Sequence, residues 1–127
     1  MEKLEVKYNS ANKALTSLKE ILKEPFSVYI RDATIQRFEY TFEAFWKFVR
    51  EYLKVKEGIT SNSPKSCFKE LFTLNITSEE ETVKLQEMTD DRNETSHAYR
   101  EEVAKKIFSR VKEYALLMEK VLSKLKV

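Results

Sequence analysis

The sequence predicts an all-α protein, an antiparallel up-and-down bundle of about five helices, on three observations. Its 127 residues suffice for one ordinary domain and not for two, so residues 1–127 are expected to share a single core. One glycine, Gly58, and two prolines, Pro25 and Pro64, leave almost no turn chemistry for a many-stranded β fold. Apolar residues recur along most of the chain at intervals of three and four, the period of one helix face.

Leu4, Tyr8, Ala11, Leu15, Leu18 and Leu22 follow each other at steps of four and three, which predicts a first amphipathic helix ending near Pro25. Ile35, Phe38, Phe42, Phe45, Val49 and Tyr52 repeat the pattern with bulkier side chains on a long second helix, from about Val28 to Lys56, with Gly58 placed to stop it. After a polar stretch, Ser63-Pro64 reads as an N-cap followed by proline at the first helical position, where its missing N–H costs nothing. A short third helix through Leu71 or Phe72 follows, in which Cys67 is most simply a small buried side chain.

Thr77 or Ser78 then precedes three glutamates, acids placed where a helix dipole favours them, and Val83, Leu85 and Met88 supply an apolar side to a fourth helix ending near Arg92. The last segment carries Val103, Ile107, Val111, Tyr114, Met118, Val121 and Leu125 on one stripe, a long terminal helix with a wide buried face. The second helix has a further feature. Glu39, Glu43, Trp46 and Arg50 form a stripe on its other side, so an aromatic sits among charges and not in the core seam. Such a stripe is either a solvated face or the lining of a cleft or partner surface.

Composition excludes several functions. With 42% hydrophobic and 35% charged residues and a net charge of +2, the chain fits neither a disordered segment nor a membrane span. One glycine cannot build a phosphate-cradling P-loop or a dinucleotide fingerprint, and no cofactor is expected. One cysteine forms no internal disulfide, and Cys67 with His97 cannot supply a structural zinc site; a carboxylate-bound metal stays open but has no support in the sequence, and no metal is expected. The charged N-terminus, Met1-Glu-Lys-Leu-Glu-Val-Lys, lacks the apolar core of a signal peptide, and the cytoplasm is the expected location. Charge is unevenly spread: Ser78–His97 holds seven acids and two bases, whereas from Ala98 onward eight bases face four acids. The terminal helix is therefore the better phosphate-facing element, although the same lysines also serve as ordinary solubilising residues.

The chemistry-bearing segment is Asp90-Asp91-Arg92-Asn93-Glu94-Thr95-Ser96-His97-Ala98-Tyr99. His97 is the one histidine, a residue type that changes charge near neutrality, and it stands beside an arginine at a helix junction. The bland alternative is a surface or capping histidine. Arg92-Asn93-x-x-x-His97-x-Tyr99 resembles the R-x4-H-x-Y signature of small HEPN (higher eukaryotes and prokaryotes nucleotide-binding) proteins that pair with a minimal nucleotidyltransferase. The stretch from Ile35 to Phe48, Ser63-Pro64 and Asp91–Tyr99 are similar to that subfamily, the nucleotidyltransferase substrate-binding proteins, across most of the chain. One departure is Arg100 followed by two glutamates, where a small or acidic capping residue is the family expectation.

The resemblance implies a HEPN-like bundle that forms a homodimer with the motif helices at the interface. It implies a metal-independent ribonuclease of toxin–antitoxin type, with Arg92 and His97 as the catalytic pair and Tyr99 as the acceptor of AMP from the nucleotidyltransferase. Asn93 is expected to orient the pair or to hold the turn by hydrogen bonds, with a purely structural role equally open. Glu43 and Trp46 are carried as supporting, nucleotide-binding residues. The chemistry is self-consistent: cleavage of RNA without a metal needs a base, an acid and a cation for the developing phosphate charge. Arg92 supplies the cation, and two copies of His97 in a symmetric dimer supply both proton-transfer groups. The alternative is a non-catalytic subunit that presents nucleotide or substrate to the nucleotidyltransferase. A third reading is a helical oligomer with no site.

Overall fold

The structure, a computed structural model, describes residues 2–127. Five helices follow in order: α1 (Glu2–Ile21), α2 (Val28–Glu57), α3 (Pro64–Thr73), α4 (Glu79–Glu94) and α5 (Glu101–Lys124), with a 3₁₀ turn, Thr95–His97, between the last two. The ends obey local chemistry. Ser27 caps α2 by accepting from the Ile30 N–H at 3.0 Å, and Gly58 closes it at φ 67°, donating its N–H to the Leu53 carbonyl. Ser63 caps α3 ahead of Pro64. Ser78 and Glu81 form a reciprocal capping box at the start of α4.

One boundary differs from the sequence reading. Helix α1 stops at Ile21, four residues before Pro25, because the chain must turn before the proline. Helix α5 starts at Glu101, and Arg100 stands at its N-cap without a side-chain cap; backbone bonds from Val103 and Ala104 to the Arg100 carbonyl close the first turn. The two glutamates that follow the departing Arg100 occupy the first turn, where the dipole favours them, and Arg31 of α2 binds Glu101 at 2.6 Å.

Cross-helix contacts set the direction of packing. Thr41 bonds the Ala14 carbonyl and Lys3 approaches Glu51, so α1 and α2 run antiparallel. Glu81 pairs with Lys120 and Asp91 with Arg110, so α4 and α5 do too. The buried cluster draws side chains from all five helices and is rich in rings: Phe38 stacks on Tyr114 at 5.7 Å, and Phe68 of α3 meets Phe42 edge-on at 6.2 Å. Cys67 is fully buried, as its small apolar character suggested.

Burial corrects two side chains. Val83, read as part of the apolar side of α4, is 62% exposed, because the core face of that helix is narrow and is filled by Leu85 and Met88. Trp46, read as lying among charges outside the core seam, is only 9% exposed. Its ring is buried while its indole N–H remains bonded within the charged stripe, the usual compromise of an apolar body with one polar atom. No helix among the described residues is long and apolar enough to cross a membrane.

Candidate functional site at the junction of α4 and α5

The capping box fixes where α4 begins, and a buried ionic cluster fixes where it ends. Asp91, 3% exposed, accepts from Arg110 Nη1 at 3.2 and 3.1 Å through its two carboxylate oxygens. The Tyr114 hydroxyl lies 2.5 Å from Asp91 Oδ2 and 2.9 Å from Glu87 Oε1, and its single proton serves one carboxylate at a time. Burial first, then these two acceptors, hold the Tyr114 phenol far above its ordinary ionisation range. The bond to Asp91 likewise raises Arg110, so both partners keep their protons. The C-terminal turns of α4 are thus clamped to α5.

Arg92, the next residue, projects about 100° further round the helix and meets α2. Its Nη2 lies 3.3 Å from Glu43 Oε1 and its Nη1 4.0 Å from Glu39 Oε2. Nη1 is also 3.4 Å from Thr95 Oγ1, and that hydroxyl donates to the Arg92 carbonyl at 2.6 Å. The guanidinium is 27% exposed, and its Nε is buried without a hydrogen-bond partner. Glu43 uses its other oxygen to accept from the Trp46 indole N–H at 3.1 Å, and the Arg50 guanidinium sits 4.9 Å above the Trp46 ring. The stripe on α2 is therefore the wall against which Arg92 is set.

The remaining motif residues point outward. The 3₁₀ turn is closed by the Ala98 N–H on the Thr95 carbonyl, and the His97 carbonyl accepts from Arg100 at 3.0 Å. The His97 ring lies 6.3 Å from the ring of Tyr99 in an edge-on arrangement. Tyr99 is 83% exposed and, with Asp32, Gln36, Glu39 and Thr95, borders a cleft of about 250 Å³ between the junction and α2. The backbone carbonyl of Asn93 accepts from Ser96 Oγ at 3.2 Å, so this residue contributes to the turn through its main chain.

Among the sequence-predicted residues the structure joins Arg92, Glu43 and Trp46 in one contact chain. It does not hydrogen-bond Arg92 to His97 within one copy among the described residues. Sequence reasoning missed the clamp of Asp91, Arg110 and Tyr114. Its signal was present as two facing i,i+4 pairs, Glu87/Asp91 and Arg110/Tyr114, but only packing reveals that they meet. Thr95, which ties the motif arginine to the turn, was missed as well. No group of three or more His, Cys, Asp or Glu arranged to hold a metal ion occurs among the described residues.

A helical bundle that clamps an R-x4-H-x-Y segment between two antiparallel helices defines the class: a small all-α protein with a polar, solvent-facing motif at its last helix junction. Within that class the chain belongs to the family described as nucleotidyltransferase substrate binding protein like, whose model matches residues 6–127. It is also similar to a protein from Thermus thermophilus of known crystal structure. The two are 47% identical over 92% of this chain and 99% of that one, with a TM-score of 0.88. A comparison with curated proteins found no match.

Proposed function

We propose that this chain is the HEPN partner of a minimal nucleotidyltransferase in the cytoplasm, a single-domain homodimer acting as a metal-independent endoribonuclease of toxin type. The observation that carries the reading is the split presentation of the motif. Arg92 is set firmly against α2 by Glu43 and Thr95, whereas His97 and Tyr99 follow on a hydrogen-bonded turn that leaves the tyrosine in solvent. A solitary copy thus displays an imidazole without a proton-transfer partner. Two copies related by a two-fold axis would bring both imidazoles and both guanidinium groups to one cleft.

In that cleft one copy of His97 takes the proton of an RNA 2′-hydroxyl, whose oxygen attacks the adjacent phosphorus. The P–O5′ bond breaks, and the second His97 returns a proton to the departing oxygen, leaving a 2′,3′-cyclic phosphate and a 5′-hydroxyl. Arg92 stabilises the charge that builds on the phosphoryl oxygens. Glu43 and Trp46 position Arg92 and border the nucleotide, and Asn93 supports the turn. The nucleotidyltransferase silences the enzyme by joining AMP from ATP to the Tyr99 oxygen with release of pyrophosphate. The exposure of that phenol beside a cleft supports its choice as acceptor.

A second reading, a non-catalytic subunit presenting nucleotide to the nucleotidyltransferase, is favoured by one observation. Arg92 already faces two carboxylates, which lowers the charge it offers to a transition state. Incubation of the purified protein with RNA in chelator, beside His97→Ala, decides between them. Cleavage abolished in the variant supports the enzyme; equal background in both removes it and leaves the binding subunit.

A further inference from the structure

The α2 stripe does not end at Trp46. Four residues after Arg50 comes Lys54, and both side chains line a separate cavity of about 300 Å³ where the N-terminus of α1 meets the connection from α2 to α3. Lys3 completes a group of three cations there, facing one carboxylate, Glu51. Glu51 is buried and lies 3.7 Å from Lys3, so its charge is engaged. Arg50 and Lys54 form no ion pair among the described residues, and the lining carries a net charge of +2.

The state of Arg50 is the informative detail. Its guanidinium lies over Trp46, itself fixed by Glu43, so the ring occupies one side of the group, and its N–H donors have no hydrogen-bond acceptor among the described residues. A guanidinium held on an aromatic ring with free donors is preorganised for two-pronged contact with a phosphate. Lys54 adds an exposed charge, and the side chains of Thr60 and Asn62 add a hydroxyl and an amide to the lining.

We infer that this cavity is a phosphate-binding subsite, which takes a phosphate of the same RNA or nucleotide that the Arg92 junction engages. The inference rests on the reading of the chain as an RNA or nucleotide binder and extends it with a second contact point. Arg50 follows Glu43 by seven residues, so the subsite lies about 10 Å further along the α2 axis than the Arg92–Glu43 pair. A ligand spanning both points is longer than one phosphate. Each end would be held by an arginine placed by the Glu43–Trp46 unit.

The test uses the full chain carrying His97→Ala, so that RNA stays intact, titrated with inorganic phosphate, AMP and a single-stranded RNA oligonucleotide. Phosphate should move the Arg50 Nε and Asn62 side-chain amide resonances, and Arg50→Gln or the surface change Lys54→Gln should weaken binding about tenfold. An RNA source is indicated if the oligonucleotide loses affinity and its log K against log salt slope falls by about one while AMP is unaffected. A free-nucleotide source is indicated if AMP loses affinity. The subsite is overturned if all three probes bind both variants within about twofold of the parent, or bind without moving those resonances. Cleavage by the chain with His97 intact is scored separately: phosphate binding without cleavage ends the ribonuclease reading alone, and cleavage without phosphate binding ends the subsite alone.

Discussion

Asp91 and Arg92 are neighbours in sequence that are held by different helices: the Asp91 carboxylate is gripped by Arg110 and Tyr114 of α5, and the Arg92 guanidinium by Glu43 of α2. The motif arginine is thereby fixed from both sides by a buried anchor one residue away and a polar contact at its tip. A flexible arginine would lose rotamer freedom each time it met a phosphate. Here much of that ordering is already present before a ligand arrives.

The anchor predicts the behaviour of Tyr114→Phe. The change keeps the ring stacked on Phe38 and removes only the hydroxyl shared by Asp91 and Glu87. Loss of a buried hydrogen bond to a charged acceptor costs about 1–2 kcal/mol, and Arg110 remains to hold Asp91. Urea unfolding should show a lower midpoint with an unchanged m-value. An unaltered midpoint would mean that the Tyr114 hydroxyl adds no stability beyond what Arg110 already supplies to Asp91.

Arg92 and Glu43 should act in opposite directions on ligand binding. Arg92→Ala removes the cation and is expected to weaken RNA or nucleotide binding at least about tenfold, with RNA cleavage falling by about 10²–10³. Glu43→Gln retains an acceptor for the Trp46 indole but removes the competing charge, so affinity should rise a few-fold. Titration of both variants against one RNA checks the pair. If Glu43→Gln weakens binding as much as Arg92→Ala, Glu43 serves the ligand by placing Arg92 and does not compete with it.

Tyr99 predicts a mass change. Co-expression with the partner nucleotidyltransferase should add one adenylyl group to the wild-type chain and none to Tyr99→Phe, as read by intact-mass spectrometry. The phenol is almost fully exposed, so the phenylalanine variant should fold with wild-type stability. An adduct persisting in Tyr99→Phe would move the acceptor to another residue.

The bundle was legible because helix period is local: the three-and-four spacing of Leu4 to Leu22 and of Ile35 to Tyr52 records which face each helix buries. Gly58, Ser63 and Ser78 mark ends for equally local reasons. Trp46 was misplaced because spacing assigned it to a charged face, while burial depends on what the neighbouring helices and connections lay over that face. The same limit hid the clamp. Asp91 reads as one more acid in an acidic run, and only the approach of α5 distinguishes it from exposed Asp90. In the motif, residue identities named Arg92, His97 and Tyr99, but contact with Glu43 is a property of the α2–α4 crossing.

The start of α4 predicts how stability changes with acid. The Glu81 carboxyl is held down at about 2, below its ordinary 4.5, chiefly by its bond from Lys120 and then by the Ser78 N–H of the capping box. A carboxyl depressed on folding stabilises fully above its unfolded value, so the contribution is present above about pH 4.5 and is lost as pH falls towards about 2. Half-exposed Lys120 and Lys124 are screened by water, which leaves about 1–2 kcal/mol. Glu81→Gln keeps an acceptor for Ser78 while deleting the charge. Its unfolding free energy should lie below wild type near neutral pH and converge with it towards about pH 2. Parallel curves across that window would place the acid sensitivity of α4 at another carboxylate.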